Sequence, residues 1–270
     1  MTPNIHPTAI IAPGAEIAND VTIGPYCIVS GKVRIGKGTV LKAFVNILDY
    51  VEIGSECTFH ENSVIGGQPQ DHDFKGEETW VTIGDRNIIR ENVTINRSSG
   101  ERTSTDVGDD CFIMEGVHLA HNVKVGNNVT MANKTGLAGH SSVGDSTVLG
   151  GISGVHQFVR IGRFCMIGGL SKIVKDIPPF LLVDGHPGRI YGINRIGLKR
   201  AGFSPGERSR IKEIYRSIFH SGLTFKRSLE KCESTFGKDI LAEEILTFAR
   251  DTRRGIETWP SFKRGSGKSD

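Results

Sequence analysis

The strongest constraint on this chain is a repeat of six residues that runs through its first two thirds. Between Ile5 and Ile173, 26 of the 29 positions spaced six apart hold apolar residues, whereas an apolar content of 37% would fill about 11 of them by chance. A period of six fits neither the 3.6-residue turn of a helix nor a long alternating strand. Each hexad therefore predicts a short strand, one inward aliphatic side chain and a tight corner, where Gly, Asn or Asp tolerates a left-handed backbone.

Three such hexads close one triangular coil, and successive coils stack through backbone hydrogen bonds at about 4.8 Å. The sequence predicts a mainly β protein, with a left-handed parallel β-helix of hexapeptide repeats over residues 1–185. The repeat lapses at 66–80 and 97–105, and we expect both segments to leave the β-helix as loops, where function often resides. Pro178 and Pro179 are expected to end the repeat.

A C-terminal α-helical domain is predicted over residues 186–256, followed by a disordered tail over 257–270. Ser204 and Glu207 form a capping-box pattern with Pro205 at the first helical position. Apolar residues then follow at helical spacing, and two further helices are expected over 224–235 and 238–252.

Composition excludes several classes of protein. No apolar stretch long enough to span a membrane and no secretory signal pattern is present, which argues against a membrane-spanning or secreted protein. The five dispersed cysteines lack a C-x-x-C pair, so we expect reduced thiols in the cytoplasm rather than disulfides or a zinc site. Four of them stand two positions before an aliphatic residue of the repeat, which indicates packing rather than catalysis: Cys27, Cys57, Cys111 and Cys165.

The net charge of +3 is unevenly distributed. Residues 1–185 hold 15 basic and 20 acidic residues, a net charge of −5, whereas residues 186–254 hold 15 basic and 8 acidic residues, a net charge of +7. The basic C-terminal third indicates an anionic partner.

Four of the nine histidines are clustered in the second half of the repeat: His118, His121, His140 and His156. Because one coil consists of three hexads, His121, Gly139 and Gln157 are expected to stack in one column. A histidine above a glycine leaves a notch with an exposed N–H, and a base beside an amide donor suits acyl transfer. Two other interpretations stay open at this point. The histidines could be polar corner residues, or three of them could hold zinc in a metal-dependent hydratase, although no neighbouring carboxylate is available to orient them.

Specific motifs give the chain a close resemblance to the acyl-ACP–UDP-N-acetylglucosamine O-acyltransferases, which catalyse the first step of lipid A synthesis. The resemblance covers roughly residues 4–256. Its motifs are Ile65-Gly66 followed by Pro69-Gln70-Asp71, Ile83-Gly84-Asp85-Arg86-Asn87, His118-Leu119-Ala120-His121, Leu137-Ala138-Gly139-His140, Val155-His156-Gln157-Phe158, and Gly197-Leu198-Lys199-Arg200-Ala201-Gly202-Phe203.

The resemblance implies a homotrimer with active sites between neighbouring β-helices, without metal, cofactor or nucleic acid. His121 would be the general base for the sugar 3-hydroxyl, and the Gly139 N–H would stabilise the oxyanion. Gly169 would set the acyl-chain length and, lacking a side chain, would admit longer 3-hydroxyacyl chains. The basic helices would receive the acyl carrier protein. The positions implied to hold substrate are Asp71, His118, His140, His156 and Gln157 for the sugar and thioester, and Asn194 and Arg200 for the nucleotide.

Five positions depart from the commonest pattern of this family: Asp73 near the loop aspartate, Asn96, Asn122 directly after the base, Ile196 and Ala201. These departures keep open a related N-acyltransferase that would form an amide on a UDP 3-amino sugar. A non-catalytic protein that only binds acyl carrier protein is a further alternative.

Overall fold

The structure is a computed structural model that describes residues 2–260. Its short strands form three sheets with 11, 9 and 8 strands. The first sheet, A, contains β1 (Asn4–Ile5), β4 (Thr22–Ile23), β7 (Val40–Leu41), β10 (Thr58–Phe59), β13 (Ile88–Ile89), β16 (Phe112–Ile113), β19 (Thr130–Met131), β22 (Val148–Leu149), β25 (Met166–Ile167), β27 (Leu181–Asp184) and β28 (Arg189–Ile193). From β1 to β27 each strand of this sheet is parallel to the next, as a β-helix requires, whereas β28 is antiparallel to β27.

The other two sheets complete the triangle. Sheet B contains β2 (Ile10–Ile11), β5 (Ile28–Val29), β8 (Asn46–Ile47), β11 (Val64–Gly67), β14 (Thr94–Asn96), β17 (His118–Leu119), β20 (Gly136–Leu137), β23 (Gly154–Val155) and β26 (Lys172–Ile173). Sheet C contains β3 (Glu16–Ile17), β6 (Val33–Ile35), β9 (Val51–Ile53), β12 (Trp80–Ile83), β15 (Ser104–Val107), β18 (Lys124–Val125), β21 (Ser142–Val143) and β24 (Arg160–Ile161).

The register between coils confirms the six-residue repeat. Leu119 pairs with Leu137, three hexads further along, and the inward hexad residues from Ile23 to Ile173 are buried apart from the loop positions. Two pairings join residues more than three hexads apart. Ile65 pairs with Ile95, five hexads further along, and Thr94 pairs with His118, four hexads further along. Two successive coils therefore carry insertions, the first equal in length to two hexads and the second to one.

The inserted segments are shorter than expected from the sequence. Residues 66 and 67 belong to β11, Trp80 begins β12, and residues 104 and 105 belong to β15. Residues at the loop edges are therefore paired in the sheets; Trp80, for example, pairs with Ser104. The segments outside the strands are 68–79, the first loop, and 97–103, the second loop.

One corner of the β-helix shows why glycine and a short polar residue recur there. The side-chain oxygens of Asp85, Asp109, Asn127 and Asp145 accept backbone N–H groups from the preceding coil, at 2.7–2.8 Å. A Cβ on Gly84 would lie 2.9 Å from the Gly108 backbone, so only glycine allows the coils to approach this closely.

The C-terminal region begins with two strands that the sequence did not predict. β27 pairs in parallel with β25 and β28 in antiparallel with β27, so sheet A continues past Pro178 and Pro179. The regular spacing of the repeat is interrupted at the prolines, because Leu182 pairs with Met166 only 16 residues earlier, yet Leu181 and Val183 are buried like hexad residues. This hairpin spans the expected boundary between residues 185 and 186.

Four helices follow: α1 (Arg195–Arg200), α2 (Pro205–Phe219), α3 (Phe225–Phe236) and α4 (Ile240–Arg250). The capping box at Ser204 and Glu207 is confirmed. The α4 helix is tied to the β-helix by an ion pair between Arg163 and both oxygens of Glu244, at 2.6 and 2.7 Å. None of the helices described in residues 2–260 is both long and apolar enough to cross a membrane.

The expected disordered tail, 257–270, lies partly outside the described residues, which end at residue 260. Its first residues are packed rather than free. Glu257 is buried and accepts a hydrogen bond from Arg189 at 2.7 Å, and the Trp259 ring lies 6.4 Å from that of Tyr215. The expectation of disorder is therefore wrong for residues 257–260.

Candidate active site

A groove of about 550 Å³ runs along the outer face of sheet B, next to its edge with sheet C. Its floor is made by Gly136 and Gly154, where an added Cβ would meet nothing within 4 Å. His118 and Lys172 stand in the same outward row, one coil before and one coil after these glycines. The two glycines therefore leave a strip of bare backbone between a histidine and a lysine. The predicted site residues that line the groove are His118, His121, Gly139, His156 and Gln157.

His121 lies at the corner between β17 and β18 and is almost fully buried. Its Nδ1 is 2.9 Å from the amide oxygen of Asn122. Asn122 also donates through Nδ2 to the Ser99 carbonyl at 3.0 Å, which assigns Oδ1 to the side that faces the histidine. Because an amide oxygen can only accept, Nδ1 of His121 donates to it, and the lone pair of the neutral ring is then on Nε2.

The Nε2 side of His121 faces Gly139, one coil further along. His140 N donates to His121 O at 3.1 Å, and Phe158 N donates to Gly139 O at 3.1 Å, so the predicted column of His121, Gly139 and Gln157 is present. A Cβ on residue 139 would lie only 2.6 Å from Cε1 of His121. The Gly139 N–H has no hydrogen-bond acceptor among residues 2–260. A base and a free amide donor therefore stand side by side in an open groove.

Two neighbouring histidines have pKa values below that of an ordinary histidine. Burial lowers the pKa of His118, whose Nδ1 lies 2.8 Å from the Thr94 hydroxyl. Burial also lowers the pKa of His140, and the nearby His121 adds to that effect. The His140 ring stands edge-on to His121 at 5.2 Å and stacks on Phe158 at 4.9 Å. Neutral imidazoles at these positions can donate or accept hydrogen bonds without repelling a protonated His121.

Asp71 reaches this histidine group from the first loop. Its pKa lies below the ordinary value, chiefly because its carboxylate accepts the Asp73 N–H at 3.1 Å and then because of a hydrogen bond from the Ser99 hydroxyl. Weaker attraction to His121 and His140 lowers this pKa further. The carboxylate is therefore ionised and available to a substrate hydroxyl.

The first loop is clamped to the β-helix by two adjacent residues of the next coil. Asn96, one of the departures from the family pattern, donates through Nδ2 to the Gln68 carbonyl. The Arg97 guanidinium is buried between the rings of Tyr50 and Phe74, at 4.8 and 5.6 Å. These contacts hold the loop in one position above the groove.

Five predicted residues are not among those that line this groove within one chain: Asp71 and His140, described above, and Asn194, Arg200 and Gly169. Asn194 uses both ends of its amide in the fold, since Oδ1 caps α1 at Gly197 N and Nδ2 donates to Phe164 O at 2.9 Å. Arg200 is exposed in the last turn of α1. Gly169 lies at the corner between sheets A and B, where its Cβ would be 3.3 Å from the Gly151 carbonyl.

Sequence reasoning missed several groove residues. Gln70 and Lys172 line the groove, and Ser99 contacts both Asp71 and Asn122. Gln70 and Ser99 lie in the two segments where the repeat lapses, and that lapse was the available signal. No signal in the sequence marked Lys172.

The geometry does not favour a metal site in the groove. Among residues 2–260, the group of side chains close enough to share a metal ion is His60, Glu61 and Glu91, at the corner between sheets A and B. The groove histidines are at the corner between sheets B and C, and their ring nitrogens do not form such a group.

Comparisons with known proteins identify the family of this chain. A family model described as bacterial transferase hexapeptide (six repeats) matches residues 32–67 and 104–139, and one described as UDP N-acetylglucosamine O-acyltransferase, domain 2, matches residues 176–257. The acyl-[acyl-carrier-protein]–UDP-N-acetylglucosamine O-acyltransferase of Thermodesulfovibrio yellowstonii is 45% identical over 253 residues, covering 93% of this chain and 98% of the relative. The enzyme of the same name from Syntrophobacter fumaroxidans is 42% identical over 93% of this chain and 98% of its own length.

Solved structures extend the likeness to the whole fold. LpxA from Acinetobacter baumannii is similar with a TM-score of 0.90 and 38% identity, covering 94% of this chain and 99% of that chain. The Francisella novicida UDP-N-acetylglucosamine acyltransferase has a TM-score of 0.92 and 37% identity, with 95% of each chain covered. These relatives share the hexapeptide β-helix and the C-terminal domain with this chain over nearly its full length. The chain therefore belongs to the UDP-N-acetylglucosamine O-acyltransferase family.

Proposed function

We propose that this protein transfers a (3R)-3-hydroxyacyl group from acyl carrier protein to the 3-hydroxyl of UDP-N-acetylglucosamine, the first step of lipid A biosynthesis. The observation that carries the proposal is the pairing of a free His121 Nε2 with the unbonded Gly139 N–H in an open groove. Relatives over nearly the full chain bear the name of this activity.

The reaction follows from these two groups. Nε2 of His121 accepts the proton of the sugar 3-hydroxyl as its oxygen attacks the thioester carbonyl. The Gly139 N–H donates to the oxygen that becomes negative in the tetrahedral intermediate. Collapse of the intermediate breaks the C–S bond, and the departing thiolate takes the proton back from His121. The products are the 3-O-acyl sugar nucleotide and free acyl carrier protein thiol, and no covalent enzyme intermediate is needed.

Other residues position the substrates in this proposal. Asp71 accepts a hydrogen bond from a sugar hydroxyl, while neutral His118 and His140 contact the sugar and the thioester. Their lowered pKa values support this role, because an uncharged imidazole can donate to a carbonyl near pH 7. His156 and Gln157 complete the wall of the groove.

The proposed assembly is a homotrimer with each site shared by two chains. Asn194, Arg200 and Gly169 do not line the groove of their own chain, so any role in binding the nucleotide or the acyl chain requires a neighbouring copy. Mixing inactive His121→Ala and Arg200→Ala chains before assembly should then restore part of the activity. Failure of mixed trimers to recover activity, with each variant folded, would argue against shared sites.

The remaining partners and the compartment are also proposals. The basic region 186–254, with a net charge of +7, suits the acidic acyl carrier protein. The five cysteines are unpaired and buried, which supports a reducing cytoplasm.

The test is incubation with UDP-N-acetylglucosamine and 3-hydroxyacyl-acyl carrier protein, followed by product mass and alkali treatment, with His121→Ala in parallel. An alkali-labile monoacyl product that disappears in the variant is expected. An alkali-stable product formed only from the 3-amino sugar nucleotide would show that the acceptor group is an amine and not the 3-hydroxyl. Turnover that survives the loss of His121 would refute the mechanism.

A further inference from the structure

The second loop, residues 97–103, holds the residue that orients the base. Asn122 is bonded at both ends of its amide by the main chain of Ser99: Ser99 N donates to Oδ1 at 2.9 Å, and Nδ2 donates to Ser99 O at 3.0 Å. The backbone of Asn122 is in the left-handed region, with a φ of 59°, and its N–H donates to the Thr105 hydroxyl at 2.9 Å. The side chain therefore has a single orientation.

This orientation decides which atom faces His121. Only Oδ1 can accept from Nδ1 of His121, and the Ser99 carbonyl excludes the reversed amide because Oδ1 would then face another acceptor. We propose that Ser99 is a positioning residue, which locks the Asn122 amide through its main chain and thereby sets the tautomer of the His121 base.

The same residue reaches the first loop. The hydroxyl of Ser99 lies close enough to the Asp71 carboxylate to help lower its pKa. One residue therefore stands between the base, through Asn122, and the proposed sugar-binding carboxylate. Glu77 adds a further tie between the loops, since its carboxylate accepts the Gly100 N–H at 2.8 Å. The two loops thus form one unit above the groove.

The arrangement explains why asparagine, and not aspartate, suits position 122 in this chain. An aspartate would still accept from His121 but would place a negative oxygen 3.0 Å from the Ser99 carbonyl, where Nδ2 now donates. Two facing acceptors repel each other, so the second loop would have to move away. In this chain the carboxylate is therefore not equivalent to the amide.

The first test uses Asn122→Asp and measures hydrogen exchange of residues 97–103 by mass spectrometry together with kcat and KM. We expect exchange of this loop to rise at least tenfold and kcat to fall roughly tenfold. Ser146→Ala, at a different corner, is the control and should change neither. Asn122→Asp with unchanged loop exchange, or with kcat equal to or above that of the natural chain, would overturn the inference.

The second test separates the hydroxyl of Ser99 from its main chain. Ser99→Ala should raise KM for the sugar nucleotide several-fold while kcat stays within about twofold, and Ser99→Thr should restore KM because it retains the hydroxyl. Equal KM values for the alanine variant and the natural chain would contradict the link to Asp71. The kinetic measurements rest on the proposed function, whereas hydrogen exchange of the second loop does not. If the protein showed no turnover, the exchange measurement would still decide the first test.

Discussion

A single methyl group at Gly139 should abolish most catalysis without unfolding the protein. The Cβ of Gly139→Ala would lie 2.6 Å from Cε1 of His121, whereas ordinary contact begins at 3.4 Å. Nε2 of the same ring would be closer still, so the ring must retreat by about 1 Å, and it cannot do so freely because Nδ1 is held by Asn122 at 2.9 Å. A misplacement of about 1 Å at a reacting group costs roughly 100-fold in rate.

We expect kcat of Gly139→Ala to fall by about 100-fold while Tm changes by less than about 4 °C, equivalent to about 1 kcal/mol or less. The fold should tolerate the change because the φ of Gly139 is outside the left-handed region and the overlapping group is a side chain. Steady-state kinetics and thermal denaturation measure the two effects.

Gly136→Ala is the matched control for this prediction. Its added methyl projects into the same groove but meets no protein atom within 4 Å. It should alter KM and leave kcat within about threefold, because it does not move the base. If both variants lose kcat equally, or if Gly139→Ala keeps full activity, the argument from ring displacement is wrong.

Three further predictions concern stability. Burial lowers the pKa of His118, so the folded protein binds this proton less readily than the unfolded chain does. The stability that neutral His118 contributes is therefore lost as the pH falls below about 6.5. Thermal melts between pH 8 and 5 should show a weaker dependence of Tm on pH for His118→Asn than for the natural chain. Arg97→Met removes a buried cation between two aromatic rings and should weaken the docking of the first loop by about 1–3 kcal/mol. Proteolysis within residues 68–79 should then be faster. Unchanged cleavage would show that the ring contacts do not hold the loop. Glu244→Gln weakens the partly exposed pair with Arg163 by about 0.5–1 kcal/mol and should lower Tm by about 1–3 °C, whereas a larger loss would mean that the pair does more than dock α4.

The repeat itself, the coil of three hexads and the column of His121, Gly139 and Gln157 could be predicted from the sequence. Each depends on a local rule: an inward aliphatic residue every six positions and corner residues that accept a left-handed backbone. The start of α2 was equally predictable, because the Ser204 and Glu207 capping box is a local hydrogen-bond pattern.

Only the tertiary structure decided how the base is supported and what surrounds it. Ser99 and Asn122 are far apart in the sequence, and their pairing depends on how an inserted loop folds back on the next coil, which no period in the sequence encodes. The hairpin of β27 and β28 likewise forms by pairing with a distant strand after the repeat has ended. Local patterns determine the β-helix because each coil repeats the last, whereas the site depends on contacts between segments that do not repeat.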